Sequence, residues 1–283
     1  MITLMENKNR IEKEILNSLD VDTIIKHILA FSREFINDPR NKKYVSRYLN
    51  RKSIGLSTVQ LLSAGLLPPG MVTILPRAAL VPKIKKALIG VNNALIFPSY
   101  KNPSVDSFLG ILRNTVINKF NSKHIIWKLK NDGNRFFHWG SYPDSVILTE
   151  GITDKLRLIQ ADLPSIPTNG TEFDIYKLKE EFKDAKEVAL FLDGDVPGRV
   201  KTLELVFHYV LNRRNFPFDL TVIKAPTGLD PCDLSEVKVK TLHRNRVEAE
   251  DYFKNIIKNS LSEEDAIQRM ILKNIERQFE VGK

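Results

Sequence analysis

Four carboxylates sit where short apolar runs end. Glu150 comes two residues after Val146-Ile147-Leu148, and Asp193 directly follows the run that closes at Leu192. Asp195 is two residues further on, and Asp230 follows Leu220–Ile223 after a short loop over 225–229. Gly151 and Gly194 stand beside two of these acids, where a residue without Cβ lets the backbone turn sharply and approach a ligand. Read as strands of an open parallel sheet, the three runs deliver the acids to one crevice, because ligands of such sheets bind beyond the carboxyl ends of the strands. Carboxylates crowded on one rim repel one another unless a cation neutralises them. Hard oxygen ligands suit Mg²⁺ or Mn²⁺, and those ions hold phosphoryl groups for in-line displacement. Any one acid has a structural explanation, since acids cap helices and Asp-Gly is a common turn. Their recurrence at three successive strand ends is what points to a site.

The elements that must position these acids follow from periodicity. Val146–Leu148, Val188–Leu192 and Leu220–Ile223 predict strands. Helices are predicted at 154–160, 172–182 and 200–211, with a turn over 167–170 and Pro197 just ahead of the last helix, where a missing N–H costs little. Strand, helix, strand, helix, strand is the pattern of a parallel sheet with covering helices. Upstream, residues 8–50 read as helical with a break at Asp38-Pro39, and a further helix over 57–64 ends at Gly65 as a cap. Prolines punctuate 65–98, which predicts irregular structure and short strands. The β-branched and aromatic runs at 125–127 and 136–137, with Asn131-Asp132-Gly133 between them, predict a hairpin. Residues 236–283 return to helical patterning. The expected fold class is α/β, a parallel sheet with covering helices, plus an N-terminal mixed α+β lobe and a C-terminal helical segment. The expected boundaries are 1–143, 144–235 and 236–283.

Composition narrows the class. The chain has 283 residues, 42% of them hydrophobic, enough to bury a core. Lys and Arg number 43 against 34 Asp and Glu, a net charge of +9, which favours a polyanionic partner, nucleic acid first. One cysteine excludes a disulfide scaffold and any cysteine-rich zinc site within these residues. No apolar run reaches the roughly 18 residues of a membrane span, and the first residues show no secretory signal, so a cytoplasmic protein without a membrane partner is expected.

The segments VILTEGITDKL (146–156), ALFLDGDVPGRVKT (189–202) and GLDPCDL (228–234) resemble, in order and spacing, the Toprim domain shared by DnaG-type primases, topoisomerases and some nucleases. In those families a Glu-Gly ends one strand and an Asp-x-Asp the next, and together they bind divalent metal. The resemblance implies that Glu150, Asp193 and Asp195 are catalytic and hold Mg²⁺ or Mn²⁺. Asp230 and Asp233 would complete the metal set, and Asp154, which matches an acidic position shortly after the glutamate, would belong with the nucleotide- and template-binding residues. Asn169-Gly170-Thr171 is similar to the Gly-Thr turn of the same module. Haloacid-dehalogenase-type phosphatases also carry an Asp-x-Asp after a strand, but usually with a Thr soon after, where Val196, Pro197 and Gly198 stand here.

Upstream, YLNRKSIGLSTVQLLSAGLLP (48–68) resembles the entry to the DnaG-type primase core. IFP (96–98), Gly110, Arg113 and KFNSK (119–123) are similar to that core's stretch of Phe-Pro, Gly, Arg and Lys-Tyr-x-Asn-Ser. Topoisomerases and small Toprim nucleases lack these segments. By this resemblance Arg113 and Lys119 would line a groove for template and triphosphate, with Lys123 and Arg51 beside them. Two departures stand out: the family's Arg-Gly becomes Arg51-Lys52-Ser53-Ile54-Gly55, and its Asp-Pro-Asp becomes Asp230-Pro231-Cys232-Asp233, which displaces the second acid. The expected function is that of a DnaG-like primase core making short RNA primers on single-stranded DNA from NTPs. A Toprim-type metal-dependent nuclease, or a non-catalytic module that binds single strands or a helicase, remain the alternatives. The implied partners are single-stranded DNA, NTPs, a replicative helicase and a separate zinc-bearing subunit, since no zinc is expected in this chain.

Overall fold

A computed structural model describes residues 21–50, 52–66, 95–101, 104–111, 124–128, 136, 144–171 and 173–260. The chain divides into two compact units, 1–134 with 138–140, and 135–137 with 141–283.

In the first unit, α1 (Val21–Asn37) and α2 (Pro39–Asn50) meet at Asp38, the break predicted from Asp38-Pro39. Pro39 opens α2, because the first turn of a helix needs no N–H there. α3 (Leu56–Leu61) ends sooner than expected, and Gly65 is not its cap. Gly65 lies in β1 (Gly65–Leu66), paired with Ile96 of β2 (Leu95–Lys101). A Cβ on Gly65 would stand 2.5 Å from the Ser32 Cβ, so this glycine is required by the close approach of β1 to α1. β3 (Ser104–Ile111) and β4 (His124–Lys128) complete an antiparallel sheet of order β1-β2-β3-β4. β4 thus pairs with β3, and the hairpin predicted from 125–127 and 136–137 about a turn at 131–133 falls largely outside the described residues. Phe136 belongs to the core of the second unit, edge-on to Phe173 and Phe182.

The second unit is a five-stranded sheet of order β6-β5-β7-β8-β9. Its strands are β5 (Ser145–Thr149), β6 (Ser165–Pro167), β7 (Glu187–Leu190), β8 (Asp219–Val222) and β9 (Val247–Glu248). The first four run parallel and β9 antiparallel to β8. Alternate residues face opposite cores: Val146, Leu148, Val188, Leu190, Leu220 and Val222 on one side, Ile147, Ala189, Phe191 and Ile223 on the other. A parallel sheet covered on both faces needs apolar residues in both sets, which is why these strands read as continuous apolar runs. The helices are α4 (Ile152–Gln160), α5 (Ile175–Glu181), α6 (Val196–Leu211), α7 (Glu236–Arg244) and α8 (Ala249–Ser260). Three details differ from expectation. Part of the predicted turn at 167–170 is strand β6, α6 starts at Val196 once Asp195 caps it, and the helical stretch after 236 is interrupted by β9. No helix among the described residues is long and apolar enough to cross a membrane.

Glu187, at the start of β7, ties three strands together. Its carboxylate accepts from Ser145 Oγ at 3.0 Å, Thr221 Oγ1 at 2.8 Å, and Arg246 Nε and Nη2 at 2.5 and 3.1 Å. Arg246 is therefore held in the structure by this ion pair. Burial works to raise the Glu187 pKa, but these bonds outweigh it and hold the carboxyl below its usual range. A depressed folded pKa contributes stability that is full above the unfolded value of 4.5 and is lost as pH falls through the folded value. Glu187→Ala is expected to cost about 2–3 kcal/mol at pH 7 in urea denaturation. The gap between variant and parent should narrow as pH falls below the unfolded value of 4.5, and a gap independent of pH would contradict the ionic role.

Candidate metal centre at the strand ends

The parallel strands end on one rim of the second unit, and the acids stand there. Glu150 follows β5, and its Oε1 accepts from the Asp193 backbone N–H at 3.1 Å, so the first acid braces the turn that carries the second. The Glu150 carbonyl in turn accepts from Gly170 N at 3.3 Å, and Thr168 donates to the Thr149 carbonyl at 3.2 Å. Gly170 has φ +110°, which glycine adopts without strain. The Asn169-Gly170-Thr171 turn therefore fixes the backbone under Glu150.

Asp193 and Asp195 flank Gly194. Gly194 N donates to the Leu229 carbonyl at 3.0 Å and its own carbonyl accepts from Gly228 N at 2.9 Å. A Cβ on Gly194 would overlap the Pro226 carbonyl oxygen, so glycine is required where the two loops exchange backbone bonds. Asp195 caps α6, accepting from Gly198 N at 2.9 Å. Asp230 and Asp233 cap a short 3₁₀ turn over Pro231–Asp233, with Asp230 N donating to Asp233 Oδ2 at 3.4 Å.

Asp154, grouped by sequence with nucleotide-binding residues, is 2% exposed. Its Oδ2 accepts from Gly151 N at 2.9 Å and its Oδ1 from Cys232 N at 3.0 Å. It joins the start of α4 to the Asp230–Asp233 loop and acts on the rim through the backbone it holds. Arg157 grips the same loop at the Cys232 carbonyl, 3.3 Å away.

The electrostatics are those of crowded like charge. Burial, then the carboxylates of Asp154, Glu150, Asp230 and Asp195, push Asp193 up to about 9. Glu150 is pushed up to about 7, chiefly by burial, with Asp195, Asp154 and Asp230 adding and the Asp193 N–H opposing. Burial also lifts Asp154 to about 6, against the two backbone N–H groups that it accepts from. Asp193 Oδ1 is buried and has no hydrogen-bond partner among the described residues. A buried carboxylate oxygen left unbonded costs free energy that a divalent cation would recover. Hard donors, an orphaned oxygen and mutual repulsion together fit a divalent metal.

The rim is looser than a closed ligand set. Among the described residues, the three ligand atoms that all lie within 4.8 Å of one another belong to Asp230, Cys232 and Asp233; no three of Glu150, Asp193, Asp195 and Asp230 come that close. The Cys232 thiol donates to Asp233 Oδ1 at 3.8 Å. Arg51, Arg113, Lys119 and Lys123 lie outside the described residues. Sequence reasoning missed Gly198, whose absent Cβ would stand 2.5 Å from Glu150 Oε1 and overlap the Asp193 carbonyl. It also missed Thr168 and Arg157. The Pro197-Gly198 pair was the available signal, since a glycine in the first turn of a helix marks a close approach.

No protein-family model matches the chain, and no curated protein matches it in sequence. Solved structures do match. The RNA polymerase domain of Mycobacterium tuberculosis primase DnaG superposes with a TM-score of 0.63 at 18% identity, covering 83% of this chain and 85% of that one. A DNA primase domain from Pseudomonas aeruginosa gives 0.68 at 16% identity, over 85% and 84%. A DnaG primase catalytic domain bound to ssDNA gives 0.63 at 17% identity, over 88% and 82%. The chain is therefore similar in fold to DnaG-type primase catalytic cores along most of its length.

Proposed function

We propose that the chain is the catalytic core of a DnaG-like primase, a nucleotidyltransferase that joins ribonucleotides into short primers on single-stranded DNA. One observation carries this reading: the acids gather at the carboxyl ends of parallel strands, with a buried Asp193 oxygen left without a hydrogen-bond partner among the described residues. The likeness in fold to DnaG cores supports it. In this reading 144–235 is a Toprim module preceded by a mixed lobe at 1–143 and followed by a helical segment at 236–283. Glu150, Asp193 and Asp195 hold Mg²⁺ or Mn²⁺, and Asp230 with Asp233 extends the set. A divalent ion bound there supplies charge neutralisation and orientation for the displacement of pyrophosphate by a 3′-hydroxyl at the α-phosphate.

This chain's own residues do the positioning. Glu150 orients the Asp193 turn, Asp195 locks that turn to α6, and Asp154 keeps the Asp230 loop against α4. Arg113 and Lys119, with Arg51 and Lys123, are proposed to hold template and triphosphate, where cations offset phosphate charge. A cytoplasmic setting, a replicative helicase and a separate zinc-bearing subunit belong to the same reading.

Incubation with single-stranded DNA, labelled NTPs and Mg²⁺ or Mn²⁺ tests it. Short labelled RNA is expected. Shortened DNA would mean a Toprim-type nuclease, and neither product would mean a non-catalytic single-strand or helicase-binding module.

A further inference from the structure

A cleft of about 460 Å³ opens beside the Asp193-Gly194 turn. α6, the chain leaving β8, and the segment from Asn245 into α8 enclose it, so most of its wall comes from elements that carry none of the rim acids. Its size falls within the range of small-molecule sites, roughly 300–1,000 Å³.

Several polar side chains of the lining make no hydrogen bond or ion pair among the described residues. Lys224 is exposed and has no ion-pair partner among the described residues, and the side chains of Thr227, Asn245 and Asn255 make no hydrogen bond there. Arg199 lines the same space, and its charge is felt at the Tyr252 hydroxyl, which burial raises and Arg199 lowers. Asp193 opposes an anion, but two cations face it. Tyr252, Val247 and Ile256 supply apolar surface next to the two carboxamides.

A ligand that satisfies all of these has an anionic group for the cations. It also has a flat, partly apolar body whose edges both donate and accept, as carboxamides demand. Those features together describe a nucleoside phosphate. We propose that this cleft binds one, with Lys224 and Arg199 on the phosphates and Asn245 and Asn255 on the base edge. The link to catalysis rests on the function proposed above; the binding does not. Because the cleft shares Asp193 with the rim, its occupant is the nucleotide that reacts there or one that regulates it.

Calorimetric titration of the full chain with ATP, in EDTA and without template, reads binding apart from the metal centre. ATP should bind more tightly than pyrophosphate or adenosine alone. Lys224→Ala and Asn255→Ala, both at exposed side chains, should each weaken ATP about tenfold at an unchanged melting temperature. Equal affinities in parent and variants, ATP no tighter than pyrophosphate, or no binding would overturn the proposal. A tenfold rise in KM for NTPs at unchanged kcat in Lys224→Ala would mark the occupant as substrate. An unchanged KM, with loss of any effect of added ATP on rate, would mark it as an effector. Primers made without ATP binding in EDTA would sink the cleft alone, and ATP binding without primers would sink the primase reading alone.

Discussion

Asp193→Asn should lower primer synthesis by about 10³-fold or more while leaving single-strand affinity within about twofold. Asparagine keeps the size of the side chain and removes the charge that a divalent ion needs. The bases proposed to hold template lie elsewhere in the chain, so strand binding should survive. The same substitution has an opposite effect on the metal-free fold. A carboxyl whose folded pKa is raised contributes stability that is full below its unfolded value and is lost as pH rises through the folded value. For Asp193 that window runs from 3.8 to about 9, and for Glu150 from 4.5 to about 7. The metal-free parent should therefore lose stability across that range, and Asp193→Asn should lose less, melting higher than the parent near pH 8. Equal pH slopes in parent and variant would contradict the crowding of charge at the rim.

Gly198→Ala tests the packing beneath the acids. On helix propensity alone, alanine inside α6 would stabilise by about 1 kcal/mol. The site reverses that sign. The new Cβ would overlap the Asp193 carbonyl and stand 2.5 Å from Glu150 Oε1, and a backbone carbonyl cannot swing aside as a flexible side chain would. Relief requires α6 to move away from the Asp193 turn, at about 1–3 kcal/mol for overpacking. Both acids and the Asp195 cap would move with it. A displacement near 1 Å at a reacting centre costs on the order of 10²-fold in rate. Gly198→Ala should thus melt lower than the parent and lose about 10²-fold in kcat. A more stable variant with full activity would show that α6 does not press on the rim.

The strand-end acids were legible because a parallel sheet buried on both faces writes its strands as apolar runs, and an acid directly after such a run is conspicuous. Val146–Leu148, Val188–Leu192 and Leu220–Ile223 gave three of the five strands of the second unit in this way. β6 was hidden because it is three residues long and ends in Pro167, and β9 because two exposed residues carry no alternation. The end of α3 and the role of Gly65 were misread because a glycine after a helix has two uses. The contact with Ser32 that decides between them is 33 positions away in sequence. Asp154 was read as facing a nucleotide because its type and spacing match an acidic motif position. Its burial depends on Cys232, far along the chain, whose N–H it accepts. The role of Arg246 was not legible, because the partner that claims it, Glu187, begins a strand 59 positions away in sequence.

The reading of the rim as a divalent-metal centre is tested most directly by calorimetric titration of the full chain with Mn²⁺ near pH 8, beside Glu150→Gln and Asp193→Asn. Binding should release protons, because the raised carboxyls must ionise to become ligands, and both variants should weaken it at least tenfold. Mn²⁺ binding of equal strength in all three proteins, or none in the parent, would contradict it.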